Sequence, residues 1–364
     1  MNFIANIKER RAKKKDITIT QQNIEESREE ILAKGKKFKY PFQYAKHRLV
    51  INTIAIALVA LITFAIIGWA QLYKAQNTSE VMYRFTKVLG LPVAEIDGEK
   101  VLFSDYLMIY RASVQSMEYQ QGAYDDSEDS QSQKIFYKRQ ALDDAEKYTY
   151  ALKVLRDNNQ TVSTSEIDDK IEELKMIYGE KRSDEAFEGI VRNNFGLSMS
   201  DYRRWIMLSI AKKKAAILLD KEAEDITEEI EIALKANGNS FEKVAKLMED
   251  KEIVSYEEAS DEVEATNLDD GRAEMAMKLK KVGDVSSRFV SKNGDCYYYV
   301  RLVSKSDDGY VSYETLQIRF TALDDAITKL REEGKITEKI DVKTEEAGAE
   351  NSEENEEAPK DEQN

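Results

Sequence analysis

Four pairs of adjacent aspartates are the first places where this chain could do chemistry: Asp125-Asp126, Asp168-Asp169, Asp269-Asp270 and Asp307-Asp308. Neighbouring carboxylates can hold a divalent cation or share a proton. None of these pairs has calcium-loop spacing or an adjacent metal-ligand motif, so solvated faces and helix caps are the plainer expectation. The chain has one histidine, His47, and one cysteine, Cys296. With no imidazole after residue 47, Ser–His–Asp triads, Cys–His dyads and His-rich zinc sites are excluded from the body. Ser183, Ser198 and Ser200 stand where helical patterns begin, which predicts caps rather than nucleophiles. Cys296 reads as a small packed hydrophobe. No residue is assigned a catalytic, cofactor-binding or metal-binding role. What remains is apolar surface chemistry, from Tyr106, Met108, Tyr110, Met117 and Tyr119 in one stretch and Phe289, Tyr297, Tyr298 and Tyr299 in another.

Periodicity predicts the elements that must carry these groups. Val93–Phe103 alternates around Asp97-Gly98, a strong two-residue hairpin signal. Ser104 or Asp105 then caps a helix over Tyr106–Tyr119, and Gln120–Gln133 is polar enough to be a loop. Apolar stripes at helical spacing predict helices over Lys134–Arg156, Glu166–Tyr178, Ser183–Asn193 and Ser198–Leu219. After Glu222 the pattern changes. Short helices are expected at Thr227–Lys235, Phe241–Met248 and Arg272–Lys280, with an irregular acidic stretch at Ser260–Asp270. Strands follow at Val285–Val290, Cys296–Val303 and Val311–Phe320, and Ala322–Glu333 is an amphipathic helix ended by Gly334. On a half-buried strand Tyr298 faces away from Tyr297 and Tyr299, so at least one of the three should reach the surface.

An uninterrupted apolar run, Leu49–Ala70, organises the rest. Its 22 residues carry no charge and can cross roughly 30 Å of hydrocarbon as a helix. Residues 1–48 hold 13 Lys+Arg and 6 Asp+Glu, against a net charge of −15 for the whole chain. Positive charge stays inside, so the head is expected in the cytoplasm and the body on the far side of the membrane, on a single-pass anchor. The run is too long for the apolar region of a cleaved signal, and no cysteine follows it for lipidation. The head, helical over Asn23–Ala33, either lies against anionic lipid or serves only to set topology. The acidic body argues against nucleic acid, and its single cysteine excludes an internal disulfide.

Two groups of motifs carry a family resemblance. VAEIDGEKVLFSDY (Val93–Tyr106), NNQTVSTSEIDDKIEELKMIYG (Asn158–Gly179) and GIVRNNFGLSMSDYRRWI (Gly189–Ile206) resemble, in order, the helical chaperone module of SurA-like extracytoplasmic foldases. SFEKVAKLMED (Ser240–Asp250) and AMKLKKVGDVSSRFVSKNGDCYYYVRL (Ala276–Leu302) resemble the parvulin-type prolyl isomerase domain of the same proteins, with departures. Tyr298 stands where that family has a histidine and Arg288 where it usually has proline. The glycine-rich stretch is replaced by EEASDEVEATNLDDG, and LLDKEAEDI has no strand character where the first strand should lie. Val311–Phe320 can fold back on Cys296–Val303 and fill the vacant central position, giving a permuted or rebuilt sheet.

The resemblance implies an α+β chain. Its expected parts are a basic head (1–48), a transmembrane helix (49–70), a stalk (71–91), a SurA-like helical module (92–221), a degenerate parvulin-like antiparallel-sheet domain (222–342) and a disordered acidic tail (343–364). It also implies a membrane-anchored chaperone for unfolded or newly translocated polypeptides, using no cofactor. Tyr106, Met108, Tyr110, Phe289, Tyr297, Tyr298 and Tyr299 are then the candidate peptide-binding residues. A scaffold subunit of an envelope complex and an active isomerase are the rival readings. Activity would need a pocket at Tyr298 and Phe289 deep enough for a prolyl ring. Oligomeric state is left open.

Overall fold

The structure, a computed structural model, describes residues 21–121, 127–177, 180–267 and 269–342. Among these the chain is mostly helical, with twelve α-helices and small antiparallel sheets. It divides into two compact units, Met1–Ala70 and Gln71–Asn364.

In the first unit α1 spans Gln21–Lys46, so the short helix expected at Asn23–Ala33 is part of a longer one. The next helix, α2 (Arg48–Trp69), is followed by a π-helical turn at Ala70–Lys74. Together they form one helix long and apolar enough to cross a membrane. Its hydroxyls turn inward: Thr53 and Thr63 donate to the carbonyls of Leu49 and Val59, each at 2.9 Å. That satisfies two groups that hydrocarbon could not.

In the second unit the first residues of the expected stalk pack against the body: Leu72 is fully buried, and the Tyr73 hydroxyl donates to the Pro92 carbonyl at 2.7 Å. Helix α3 (Glu80–Leu89) leads to the hairpin β1 (Pro92–Ile96) and β2 (Glu99–Leu102). Asp97 and Gly98, at φ of 47° and 82°, supply the two left-handed residues that this tight turn requires. The long antiparallel helices α4 (Phe103–Gln121) and α5 (Glu128–Asp157) come next. Of the loop foreseen at Gln120–Gln133, Gln120, Gln121 and Glu128–Gln133 are helical, with Ser127 capping α5 through the Ser130 amide, and residues 122–126 lie outside the described residues. Ser163 caps α6 (Thr164–Leu174) in a capping box with Glu166. A two-residue hairpin, β3 (Met176–Ile177) and β4 (Glu180–Lys181), cuts the expected helix to Tyr178 short. Ser183 and Ser198 then cap α7 (Asp184–Phe195) and α8 (Met199–Leu219).

A sheet lobe is inserted after α8. Helices α9 (Lys221–Ala236) and α10 (Phe241–Leu247) precede β5 (Val254–Glu257), β6 (Val263–Glu264) and α11 (Arg272–Lys278). Then come β7 (Phe289–Val290), β8 (Cys296–Lys305) and β9 (Tyr310–Arg319), in the order β5-β9-β8-β7 with β6 also on β9. Strands β8 and β9 pair antiparallel from Cys296↔Arg319 to Lys305↔Val311, so Val311–Phe320 does fold back on Cys296–Val303. The strand expected at Val285–Val290 shrinks to two residues and a single bridge, Val285↔Arg301.

After β9 the chain returns to the first module as α12 (Ala322–Glu332) and β10 (Ile336–Glu338), and β10 pairs with β1. The sheet lobe is thus an insertion into the helical module. A continuous core running through Phe103, Leu142, Leu208, Ile230, Phe241 and Leu316 joins the two. The acidic segment 343–364, expected to be disordered, lies outside the described residues.

Candidate functional site

The tyrosine run on β8 is closed on both faces. Tyr297 and Tyr299 point to the face covered by α9 and α10, where the Tyr299 hydroxyl donates to Glu231 Oε1 at 3.1 Å. Phe320 meets the Tyr297 ring edge-on at 4.7 Å, and the Arg288 guanidinium lies 4.5 Å from that ring's centre. On the opposite face Tyr298 packs against Phe289, with ring centres 5.8 Å apart, under the Arg272 guanidinium at 5.2 Å. Arg272, from α11, is itself held by Glu257 Oε2 at 2.5 Å and by the Asp269 carbonyl at 3.0 Å. All three tyrosines are buried, and burial pushes each phenol above its ordinary pKa. The surface-facing aromatic expected here is absent because α11 covers the second face of a strand that alternation alone reads as half exposed. Of this set only Phe289 is partly exposed.

The chemistry available to this lobe is correspondingly small. Burial pushes the Cys296 thiol up to about 11, so it stays protonated at neutral pH and is no nucleophile. The Tyr313 hydroxyl donates to Asp269, whose carboxylate also accepts the Ala273 amide at 3.0 Å and so starts α11. The position that the resemblance equates with a histidine, Tyr298, is filled by ring, guanidinium and phenol. Asp269-Asp270 is accounted for by a helix start, Asp168 by Arg203 at 2.6 Å, and Asp307-Asp308 by the β8–β9 turn. Asp125-Asp126 lies outside the described residues.

In the helical module the aromatic stretch divides. Tyr106, Met108 and Tyr110 are core residues of α4, stacked among Phe103 and its neighbours. Burial raises the Tyr106 and Tyr110 phenols as well. The exposed apolar groups lie farther along the two helices: Tyr119, near the end of α4, is 61% exposed, and on α5 Ile135 is 37% and Phe136 46% exposed. The sequence names Tyr119 but not the two on α5, which fall within the apolar-striped helix expected over Lys134–Arg156, where apolar groups read as core.

A second feature of the module is an open cleft of about 410 Å³ between the β1–β2 turn, the start of α4, the second half of α5 and α8. Leu102 and Leu152 give it apolar patches. Its rim is charged and internally paired, with Arg204 on Asp105 at 2.7 Å and Arg156 on Glu99 at 2.6 Å. The cleft lies along β2, the edge strand of the sheet β10-β1-β2.

The returning segment is latched to α5 by a partly buried charge network. Arg139 bridges Asp143 at 2.7 Å and Glu338 at 2.9 Å, while Arg331 reaches Asp143 at 3.0 Å and Glu146 at 2.9 Å. Three carboxylates thus share two guanidinium groups. Glu146 is fully buried and its Oε1 has no partner. Burial first, and the Glu338 carboxylate second, push the Glu146 carboxyl up to about 7.

Residues 42–216 match the family model of the SurA-like N-terminal domain. No curated protein and no solved structure matches the chain.

Proposed function

We propose that this chain, with its SurA-like N-terminal module, is a membrane-anchored extracytoplasmic chaperone that holds unfolded or newly translocated polypeptides. The match of residues 42–216 to the SurA-like N-terminal domain carries the reading. The apolar helix Arg48–Lys74 supports the anchor. The basic head before it supports a cytoplasmic N-terminus and an extracytoplasmic body. Clients would engage the exposed Tyr119 on α4 and Ile135 and Phe136 on α5, aromatic and aliphatic groups that tolerate many sequences. The cleft along β2 offers extended chains an unpaired strand edge as a second contact.

The sheet lobe we read as parvulin-like but without catalysis. A prolyl isomerase must seat the proline ring in an apolar pocket while the imide twists through a barrier of about 18–20 kcal/mol. At Tyr298 that space is occupied by Phe289 and Arg272. Burial keeps the neighbouring Cys296 as a thiol.

The deciding experiment uses the full chain in lipid vesicles with two clients, one that aggregates on heating and one whose refolding waits on a proline. Suppressed aggregation at stoichiometric amounts, with no acceleration at catalytic amounts, is the expected result. Acceleration at catalytic amounts would restore isomerase activity to the lobe. No effect on either client would move the reading to a scaffold that binds one fixed partner.

A further inference from the structure

Helix α3 is amphipathic in an unusual way for an element of a folded body, because much of its apolar flank is uncovered. It buries Tyr83 and Thr86 against the module. Yet Val81 is 69% exposed, Val88 84% and Leu89 52%. Val81 and Val88 are seven residues apart and share one face, with Leu89 beside them and the partly buried Phe85 between. Polar groups keep to one edge of the helix, where Arg84 pairs with Glu80 at 2.8 Å and Lys87 with Asp201 at 2.5 Å. Three large aliphatic side chains exposed on a ten-residue helix need a partner.

Chain continuity says which partner. Residue 71 follows directly on the apolar run Leu49–Ala70, and only residues 75–79 separate the end of the long helix, Lys74, from α3. Five residues span at most about 20 Å fully extended. They are not free to extend that far. Asn77 is bonded back to the Gln71 carbonyl at 2.9 Å, and Arg111 grips the Thr78 carbonyl at 3.0 Å and Glu80 at 2.5 Å. With Leu72 buried and Tyr73 bonded to Pro92, the start of α3 is rigidly tied to the residues where the apolar run ends. Along the chain, α3 therefore begins within ten residues of the end of the apolar run.

We infer that the Val81–Val88–Leu89 face of α3 rests in the headgroup–acyl boundary of the bilayer crossed by Arg48–Lys74. An aliphatic face with cations along its edge suits that interface. The inference rests on the membrane-anchor reading and adds to it a second, in-plane contact, which would fix the tilt of the body over the membrane. A single anchoring helix leaves that tilt free.

The test places one nitroxide label at a time on the full chain, reconstituted in vesicles of phosphatidylcholine and phosphatidylglycerol. The labelled variants are Val88→Cys, Leu58→Cys in the apolar run and Lys246→Cys on α10, where the lysine side chain is 72% exposed. Cys296 is fully buried, and the unsubstituted chain serves as its labelling blank. The expected result is a several-fold loss of collisions with a water-soluble nickel chelate at residue 88 relative to residue 246, with collisions with oxygen retained. Nickel access at residue 88 with protection at residue 58 would overturn the inference and leave the anchor standing. Access at both would overturn both. Spin–spin broadening at residue 88 that survives dilution with lipid would overturn it in favour of a second copy of the chain.

Discussion

In the sheet lobe three consecutive tyrosines are sealed by α9 and α10 on one face and α11 on the other. On α4 and α5, Tyr119, Ile135 and Phe136 are exposed to solvent. The two regions use the same residue types. The insertion supplies helices for both sides of its sheet, whereas Tyr119, Ile135 and Phe136 keep part of their surface in solvent. Which apolar groups stay accessible is set by packing, and composition alone does not reveal that.

The comparison breaks most visibly if the sealed region proves soft. Phe241 on α10 is fully buried in the core that joins the lobe to the helices. Truncation to alanine leaves a cavity that neighbours fill only in part, and Phe241→Ala is expected to cost about 3–5 kcal/mol. Urea unfolding measures this. A loss under about 1 kcal/mol would mean that the lobe repacks freely and that its tyrosines can be uncovered.

A second expected effect concerns the latch that closes the insertion. The Glu146 carboxyl is raised to about 7 in the folded chain. The folded state therefore holds a proton that the unfolded state has released above the ordinary carboxylate value. This contribution to stability is complete below about pH 4.5 and is lost as pH rises through about 7, on the order of 2–3 kcal/mol in all. Glu146→Gln removes that slope. The variant should match the native chain in mild acid and exceed it above neutrality, as read from urea midpoints across that window. Parallel profiles for the two proteins would show that Glu146 does not titrate there.

Smaller still is the effect of uncovering Tyr298. Arg272→Ala removes the guanidinium stacked on that ring and its bond to Glu257. About 1 kcal/mol of stability should go, since the stacking is partly exposed. Binding of an apolar dye should rise, and prolyl isomerisation should stay absent because no group able to act on the imide takes the arginine's place. Isomerase activity in this variant would mean that the site is intact and merely plugged.

Much of the frame was legible because its signals are local. Asp97-Gly98 forces a turn, Ser163 and Ser198 accept from their own helices, and the β8–β9 hairpin joins two apolar strands across a short polar loop. What escaped was non-local. Strand β10 is three residues long and exists only because β1 offers it an edge. Strand β5 alternates over only four residues, Val254–Glu257, and β6 is two residues of an acidic stretch, so both are too short to stand out and are drawn out by β9. The burial of Tyr106, Met108 and Tyr110 likewise depends on what packs on α4 from elsewhere in the chain. A tyrosine has the same composition in a core as in a binding face, so sequence could nominate these residues but not sort them.

The sharpest test of the comparison is the one with the least effect on stability. Tyr119→Ser and Phe136→Ser change side chains that are 61% and 46% exposed, so together they should leave the urea midpoint within about 0.5 kcal/mol of the native value. If these exposed groups of α4 and α5 receive clients, the same pair should remove most of the suppression of client aggregation. The comparable change in the sealed region, Tyr298→Ser, should do the reverse: lower stability markedly while leaving suppression per folded molecule unchanged. Were the two outcomes exchanged, the exposed groups would be idle surface. The lobe would then have to open to work, and its closed faces would describe the resting state of a chaperone whose clients bind inside.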